Sequence, residues 1–335
     1  MNIAVLGAGS WGIALSLVLD YNGHRVRLWE FRPDAAERLD KTRDAKEFLP
    51  GITLPHSIQV MNDFQRASSD ADLIVVAVPS HVVRSIGEKL NQIQFEKSPI
   101  LINVAKGIEN ETLMRMSEVL QQTIQWANPN NIVTLSGPSH AEEVSRRIPT
   151  AIVSASKNMG AAELVQQVFM NEFLRVYTNA DIIGVELGGS LKNIIAIAAG
   201  ICDGAGFGDN TKAALQPRGL VEIVRLGVAM GADPITFAGL SGMGDLIVTC
   251  MSRHSRNRYV GEQIGKGRKL DDILKEMVMV AEGVKTTKSA YALSKKFQVE
   301  MPITEQVYHI LFEGKDARVA LKELMLRGPK EEKWG

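Results

Sequence analysis

Short apolar runs recur along the first half of the chain, with polar or helical stretches between them. Such runs, bounded by turn residues, are typical of strands. The predicted strands are residues 2–6, 25–29, 58–60, 73–78, 100–104, 132–135, 150–153 and 174–177. The run at 71–78 is continuous and rich in β-branched residues, as expected of a strand buried on both faces. The alternation predicts a doubly wound, mostly parallel sheet.

The second half of the chain has a different pattern. From about residue 181 onward, apolar residues recur with a period near 3.6. This predicts helices at residues 182–200, 213–230, 270–279, 285–297, 303–312 and 317–325. We therefore expect an α/β domain over residues 1–180 and an all-helical C-terminal domain over residues 181–335.

Three spaced glycines, Gly7, Gly9 and Gly12, follow the first strand. The first permits a tight turn, the second lets the main chain approach a pyrophosphate, and the third lets the next helix pack on the sheet. The helix that opens at Ser10 directs its free N–H groups at the phosphates. The pattern predicts a Rossmann-type dinucleotide-binding domain, although glycine triplets also form ordinary turns.

The end of the second strand bears on the choice of cofactor. Glu30 follows that strand at about the spacing expected of an acid that binds ribose hydroxyls, roughly 20 residues after the glycines. A carboxylate there repels a 2′-phosphate, whereas Arg32 could pair with one or simply be solvated. The sequence favours NAD and leaves NADP open.

Composition limits the classes of partner and site. The 335 residues suggest two domains, and 38 basic residues balance 38 acidic ones, so no global field attracts nucleic acid or an anionic membrane. Cys202, Cys250 and the six histidines lack the spacing of metal ligands, so we expect no metal site. The strand at residue 2 leaves no room for a signal peptide, which favours a cytoplasmic protein.

Ligands of open parallel sheets bind at the carboxyl ends of the strands. Lys106 follows the strand at 100–104, and Gly137, Pro138 and Ser139 follow the strand at 132–135. We expect both on the same sheet edge as the glycine turn. The alternatives are a surface lysine and an ordinary Gly-Pro turn.

Lys192 and Asn193 lie near the start of a helix that is apolar on all sides. Such a helix is buried, so its polar residues need partners or a wet cleft. Burial lowers the pKa of a lysine and suits it to acid-base chemistry near neutral pH. The alternative is a lysine that extends to solvent. Glu186 and these two residues also argue against a membrane-spanning segment.

A polar segment at residues 252–258 follows Asp245. In a short loop, Arg256 and Asn257 could hold a phosphate, although an exposed basic loop or a nucleic-acid contact would use the same residues. The neutral charge and the lack of interleaved aromatic residues argue against nucleic acid. Asp245 could also serve only to cap a following helix.

These motifs together resemble the bacterial-type NAD(P)-dependent glycerol-3-phosphate dehydrogenase family. The resemblance covers almost the whole chain, through residues 7–12, 78–80, 105–107, 136–143, 186–193, 203–212, 218–219, 241–249, 252–258 and 280–283. It implies the reversible reduction of dihydroxyacetone phosphate to sn-glycerol 3-phosphate, a product that supplies phospholipid synthesis. It also implies that the enzyme is a homodimer. The segment Glu30-Phe31-Arg32 departs from the family pattern and puts NADP use in doubt.

The resemblance also implies roles for individual residues. Lys192 is the implied proton donor and acceptor. The implied substrate contacts are Lys106, Gly137, Ser139, Asp245, Ser255, Arg256 and Asn257. The implied cofactor contacts are Ser10, Trp11, Arg32, Lys106, Ala141, Arg256, Val280 and Glu282.

The hypothesis is that hydride reaches the ketone carbon while Lys192 protonates the oxygen, which Lys106 and Asn193 orient. Two alternatives remain at this point. A β-hydroxyacid dehydrogenase would use the cluster at residues 255–257 to bind a carboxylate. A non-catalytic nicotinamide-redox sensor would need the glycine motif but neither lysine.

Overall fold

The computed structural model describes residues 1–277 and 279–332, which form two compact units. The first unit comprises Met1–Ala105 and Met116–Ile182. The second comprises Lys106–Arg115 and the chain from Ile183 onward. Residues 106–115 therefore belong to the second unit although the sequence around them belongs to the first, which a single division at residue 180 does not describe.

The first unit is built on one sheet, which among the described residues has eight strands in the order β3-β2-β1-β4-β5-β6-β7-β8. The strands are β1 Asn2–Leu6, β2 Arg25–Trp29, β3 Gln59–Met61, β4 Leu73–Val76, β5 Ile100–Asn103, β6 Ile132–Ser136, β7 Thr150–Ala155 and β8 Leu174–Asn179. Neighbouring strands are parallel except for the antiparallel pair β6 and β7. The predicted doubly wound, mostly parallel sheet is confirmed.

Helices connect the strands of this sheet. They are α1 Ser10–Tyr21, α2 Pro33–Thr42, α3 Phe64–Ser68, α4 Val83–Leu90, α5 Met116–Thr123, α6 Ala141–Val144 and α7 Met159–Phe169. Helix α1 begins after Gly9 and ends at Asn22, where Gly23 adopts a positive φ of 78°. Strand β4 is buried throughout because it lies in the middle of the sheet. This arrangement places the carboxyl ends of β1, β4 and β5 side by side.

The second unit is helical. Its helices are α8 Ile182–Ala205, α9 Asp209–Ala229, α10 Asp245–Met251, α11 Arg256–Gly265, α12 Leu270–Glu276, α13 Glu282–Lys296, α14 Pro302–Glu313 and α15 Ala317–Met325. A π-helical turn at Leu240–Gly244 leads into α10. The helix predicted at 270–279 is shorter than expected, since α12 ends at Glu276; part of that prediction lies outside the described residues. Helix α11 was not predicted, and α10 was raised only as a helix without bounds after Asp245.

Helix α8 is the central element of the second unit. It is long and apolar enough to cross a membrane, but 94% of its most apolar window is buried inside the protein. Ile194, Ile195 and Ile197 belong to the hydrophobic core together with Phe237 of the loop after α9. Burial on all sides makes this a core helix and gives any polar residue on it a protected environment.

Candidate active site

The glycine turn between β1 and α1 is shaped by two different demands. A Cβ on Gly7 would lie 2.5 Å from the Ala77 carbonyl oxygen, and one on Gly12 would lie 1.9 Å from the Gly7 carbonyl oxygen. Both positions are therefore closed by packing. A Cβ on Gly9 would instead meet no heavy atom within 4 Å. The open space beside Gly9, at the positive end of α1 where Ser10 and Trp11 begin the helix, fits a dinucleotide pyrophosphate.

Glu30 and Arg32 follow β2 and contact each other. Glu30 is 4% exposed, and its Oε1 accepts hydrogen bonds from the Arg32 backbone N at 3.1 Å and Nε at 3.0 Å. The hydrogen bond to Glu30 raises the pKa of Arg32, and Glu47 adds to that effect. A cavity of about 430 Å³ beside them reaches Ala8 of the glycine turn. The cavity and the buried acid fit the ribose end of a dinucleotide.

The loop after β6 is a closely packed turn. Gly137 has a φ of 133°, and a Cβ there would lie 3.1 Å from the Ile152 Cα. The Ser139 Oγ donates to the Gly137 carbonyl oxygen at 3.0 Å, and Ala141 is the buried first residue of α6. The Gly-Pro turn is thus fixed by packing as well as by its sequence, and its role in binding a ligand stays a prediction.

Asp245 joins the two lysines that the sequence analysis selected separately. Its side chain is 2% exposed and lies at the start of α10. Oδ1 accepts a hydrogen bond from the Lys192 Nζ at 2.5 Å, and Oδ2 accepts one from the Lys106 Nζ at 2.6 Å. Lys192 also donates to the Thr249 Oγ1 at 2.6 Å. The cluster therefore combines two ammonium groups with one carboxylate in a largely buried setting.

Burial changes the acidity of Lys192. Desolvation lowers its pKa from 10.5 to about 8; the Lys106 charge lowers it too, whereas Asp245 raises it. Desolvation dominates because a buried ammonium loses its hydration. The direction of the shift agrees with the lowering predicted from the sequence. Lys192 is therefore mostly protonated at neutral pH and can release its proton a little above it.

The segment that carries Lys106 is anchored within the second unit. The Gly107 carbonyl oxygen accepts from the Ser190 Oγ at 3.2 Å, and the Ile108 carbonyl oxygen accepts from the Ser289 Oγ at 3.0 Å. At the far end of the segment, Arg115 forms a buried ion pair with Glu186 at 2.6 Å. Three contacts to α8 and α13 thus fix the position of residues 106–115 and of Lys106 with them.

Residues 252–258 form only in part the expected loop, since residues 252–255 are a turn and a helix begins at Arg256. Ser255 caps α11, its Oγ accepting from the Arg258 backbone N at 3.2 Å, so Arg256 and Asn257 lie in the first turn of a helix. The expected loop is therefore limited to residues 252–255, and in the helical part Asn257 is buried while Arg256 is exposed. Val260 of the same helix is fully buried.

The side chains of Asn257 and Arg256, at the start of α11, form hydrogen bonds with other parts of the second unit. The Asn257 Nδ2 donates to the Asn193 Oδ1 at 2.9 Å, and its own Oδ1 accepts from the Gly283 N at 2.9 Å. The Arg256 Nη1 donates to the Val280 carbonyl oxygen at 3.0 Å. Glu282 begins α13 next to that carbonyl. The helix start therefore joins Asn193 on α8 to the loop before α13.

Thr249, Arg115 and Glu47 are not among the site residues predicted from the sequence. Thr249 lies one helical turn after Asp245, so its position could have been inferred if the bounds of α10 had been predicted. Arg115 and Glu47 carry no motif, and their partners are visible only in the folded chain.

Comparison with known proteins identifies the family. The models of the NAD-dependent glycerol-3-phosphate dehydrogenase N-terminus and C-terminus match residues 2–162 and 181–322. This chain belongs to the NAD-dependent glycerol-3-phosphate dehydrogenase family. The resemblance found from the motifs is confirmed, as is the Rossmann-type N-terminal domain.

Full-length relatives support this membership. The glycerol-3-phosphate dehydrogenase (NAD(P)+) of Prosthecochloris aestuarii is 54% identical over 332 residues, covering 99% of this chain and 100% of that protein. The Thermoanaerobacter sp. enzyme of the same name is 55% identical over 335 residues, covering 100% of both. The crystal structure of glycerol-3-phosphate dehydrogenase from Coxiella burnetii is 35% identical, with a TM-score of 0.92, and covers 97% of this chain and 98% of that one.

Proposed function

We propose that this NAD(P)-dependent glycerol-3-phosphate dehydrogenase reversibly reduces dihydroxyacetone phosphate to sn-glycerol 3-phosphate, with Lys192 as the proton donor. The observation that carries the proposal is the buried hydrogen-bonded cluster of Lys192, Asp245 and Lys106. A nicotinamide-redox sensor has no need for such a cluster. A β-hydroxyacid dehydrogenase is disfavoured because both family models and full-length relatives point to the phosphorylated substrate.

The cofactor is NAD or NADP. The residues proposed to hold it are Gly7, Gly9, Ser10, Trp11, Gly12, Glu30, Arg32, Lys106, Ala141, Arg256, Val280 and Glu282. When bound in its reduced form, the cofactor supplies a hydride to the ketone carbon. We assign most of the dinucleotide contacts to residues 1–180, and most of substrate binding and catalysis to residues 181–335 together with residues 106–115, which belong to the same unit.

Lys192 donates a proton to the carbonyl oxygen as negative charge develops on it. Asp245 and Thr249 hold the Lys192 Nζ in place, and the Asp245 charge partly offsets the desolvation that disfavours the ammonium. Lys106 and Asn193 orient and polarise the carbonyl oxygen, as preorganised donors do. With a pKa of about 8, Lys192 is charged for reduction and can become neutral for the reverse reaction.

The phosphate of the substrate binds away from the reacting carbon. Arg256 and Asn257 hold it from the start of α11, where backbone N–H groups favour an anion. Ser255, Gly137 and Ser139 complete the substrate site. Binding energy from this remote group positions the ketone for reaction.

We also propose that the enzyme is a cytoplasmic homodimer whose product enters phospholipid synthesis. The balanced charge supports a small-molecule partner and argues against nucleic acid. The burial of α8 inside the protein argues against an integral membrane segment. Light scattering on the purified protein measures the solution mass and decides between one and two chains.

Replacing Lys192 with Ala tests the mechanism. We expect kcat for dihydroxyacetone phosphate reduction to fall by about 10²- to 10⁴-fold, the range for loss of a general acid, while NADH binding, followed by fluorescence, is retained. Lys295→Ala, which removes an exposed lysine paired with Glu305, is the matched control and keeps wild-type turnover. Near-normal turnover in Lys192→Ala would refute the assigned role.

The substrate class has its own test. Wild-type enzyme is supplied with NADH and either dihydroxyacetone phosphate or a carboxylated ketone of similar size. We expect oxidation of NADH with the phosphorylated ketone. Turnover of the carboxylated ketone alone would favour a β-hydroxyacid dehydrogenase, and tight NADH binding without turnover of either would favour a sensor.

A further inference from the structure

The arginine nearest the end of β2 already has two carboxylate partners. The Arg32 Nε donates to Glu30 at 3.0 Å, and its Nη1 and Nη2 donate to the Glu47 Oε1 at 3.0 and 3.1 Å. The other oxygen of Glu47 accepts a hydrogen bond from Arg38. Two arginines and two carboxylates thus form one network whose charges cancel.

This network borders the space that fits the ribose end of a dinucleotide. The 430 Å³ cavity is lined by Glu30, Arg32, Arg38 and Glu47, and it extends to Ala8 of the glycine turn. The Glu30 side chain is 5% exposed, whereas the Arg32 and Glu47 side chains are 35% and 32% exposed. Burial therefore holds Glu30 in place, whereas Glu47 lies beside open space into which its side chain can move.

We propose that Glu47 sets the cofactor preference by occupying Arg32 and Arg38, so that the enzyme uses NADH in preference to NADPH. A phosphate monoester carries about −1.5 to −2 charges at pH 7. To reach the arginines, a 2′-phosphate must displace Glu47 from both of them and remain near the buried Glu30 carboxylate. The two hydroxyls of an unphosphorylated ribose only donate hydrogen bonds to that carboxylate and leave the network intact.

The preference is tested with Glu47→Gln, which keeps the size of the side chain and removes its charge. In wild-type enzyme we expect kcat/KM to be higher with NADH than with NADPH. In Glu47→Gln the ratio of NADPH to NADH kcat/KM rises by about tenfold, because both arginines become available to the 2′-phosphate. Glu37→Gln is the matched control: Glu37 lies on α2, is exposed and forms an ion pair with Lys41. It leaves the ratio within about twofold of the wild-type value.

A binding measurement makes this test independent of turnover. Calorimetry compares adenosine 2′,5′-bisphosphate with adenosine 5′-monophosphate. We expect Glu47→Gln to bind the bisphosphate about tenfold more tightly than wild type does and the monophosphate with little change. This inference rests on the proposed use of a nicotinamide cofactor, and the binding result separates it from the proposed function. If the enzyme shows no turnover but Glu47→Gln still binds the bisphosphate more tightly than wild type does, the proposed function is refuted and the role of Glu47 is not.

Two results would overturn the inference. An unchanged or lower NADPH to NADH ratio in Glu47→Gln would show that Glu47 does not oppose the phosphate or that it prepares the arginines to receive it. If Glu47→Gln still raises the NADPH to NADH ratio in a protein that also carries Arg32→Gln, Glu47 does not act through Arg32. Melting temperatures of the variants, compared with wild type, confirm that each one is folded.

Discussion

At the residue scale, Asp245 decides the chemistry of the site because its single charge faces two ammonium groups. Lys192 loses most of its hydration and would readily become neutral, and the carboxylate at 2.5 Å opposes that tendency. The Lys106 charge acts in the other direction. The pKa of about 8 is the balance of these effects, so the protonation state of Lys192 changes within the range where the enzyme can be assayed.

The pH dependence follows from the direction of this shift. Ketone reduction needs the ammonium form, so kcat for reduction is level below about pH 7 and falls as pH rises through the pKa near 8. Alcohol oxidation needs the neutral amine, so its kcat rises through the same range. Rates of ketone reduction and of alcohol oxidation, each measured at saturating substrate between about pH 6 and 9.5, test both expectations. Profiles that are flat, or that change in the same direction for both reactions, would contradict this role.

Lys106→Met tests the balance itself. Loss of the Lys106 charge removes one cause of the lowered Lys192 pKa, so the midpoint of the residual reduction rate moves to higher pH. The rate itself also falls, because Lys106 is proposed to contact the substrate. A midpoint that stays in place would show that the two lysines do not interact electrostatically.

Sequence reasoning selected the members of this cluster but not their arrangement. Lys106 follows a strand, Lys192 lies on an apolar helix and Asp245 precedes a polar segment, and each of these is a local signal. That one carboxylate contacts both lysines depends on the fold, because the three residues are far apart in sequence. The same reason hides Glu47, which pairs with Arg32 without any motif around it.

At the element scale, glycines set the distance between α8 and α11. A Cβ on Gly200 would lie 2.0 Å from the Arg258 carbonyl oxygen, and one on Gly261 would lie 2.0 Å from the Ile197 carbonyl oxygen. The backbones of the two helices are therefore in direct contact. This contact brings Asn193 on α8 within hydrogen-bond distance of Asn257 on α11.

Gly261→Ala tests this packing. A methyl group cannot fit beside the Ile197 carbonyl, so we expect a loss of about 1–3 kcal/mol in unfolding free energy and a higher KM for dihydroxyacetone phosphate, since α11 carries Arg256. Thermal unfolding and steady-state kinetics measure the two effects. Gly160→Ala in α7 is the control, because its nearest neighbour, Asn158 Oδ1, is 3.4 Å away. Equal stability of Gly261→Ala and wild type would refute the packing argument.

The elements themselves were predictable to different degrees. Each predicted strand is observed. The central strands are the easiest to predict, because a strand buried on both faces shows an unbroken apolar run such as Leu73–Val76. Helix α11 was missed because its first turn is entirely polar and its start depends on a cap at Ser255. The antiparallel pairing of β7 with β6 has no counterpart in the apolar pattern, which records burial and not direction.

At the scale of the whole molecule, the chain enters the second unit twice. Residues 106–115 belong to it between β5 and Met116, and only then does the chain complete the sheet. Their anchors are Ser190, Ser289 and Glu186, all more than 70 residues distant in sequence. No local sequence pattern can predict that residues 106–115 belong to the second unit. The two larger regions are easier to predict, because apolar residues recur in short strand-like runs in the first and with a helical period in the second.

The glycine turn contributes both to NADH binding and to the stability of the fold. Substitutions at Gly9 and Gly12 distinguish these two contributions. NADH binds the folded chain, so at 100 times its Kd it stabilises wild type by about 2.7 kcal/mol. Gly9 has a φ of −71° and faces open space, so Gly9→Thr folds normally, since threonine caps helices about as well as glycine. The new side chain occupies the space proposed for the pyrophosphate, and the stabilisation by NADH is lost.

Gly12→Thr gives the opposite result. Its Cβ would lie 1.9 Å from the Gly7 carbonyl oxygen, so the protein is destabilised before any ligand is added. Differential scanning fluorimetry with and without NADH distinguishes the two variants in one experiment. If Gly9→Thr keeps the full stabilisation by NADH, the pyrophosphate does not bind at this turn. If Gly12→Thr is as stable as wild type, α1 can move away from β1. The two substitutions introduce the same side chain three residues apart, so a difference between them reports the local geometry and not the chemistry of threonine.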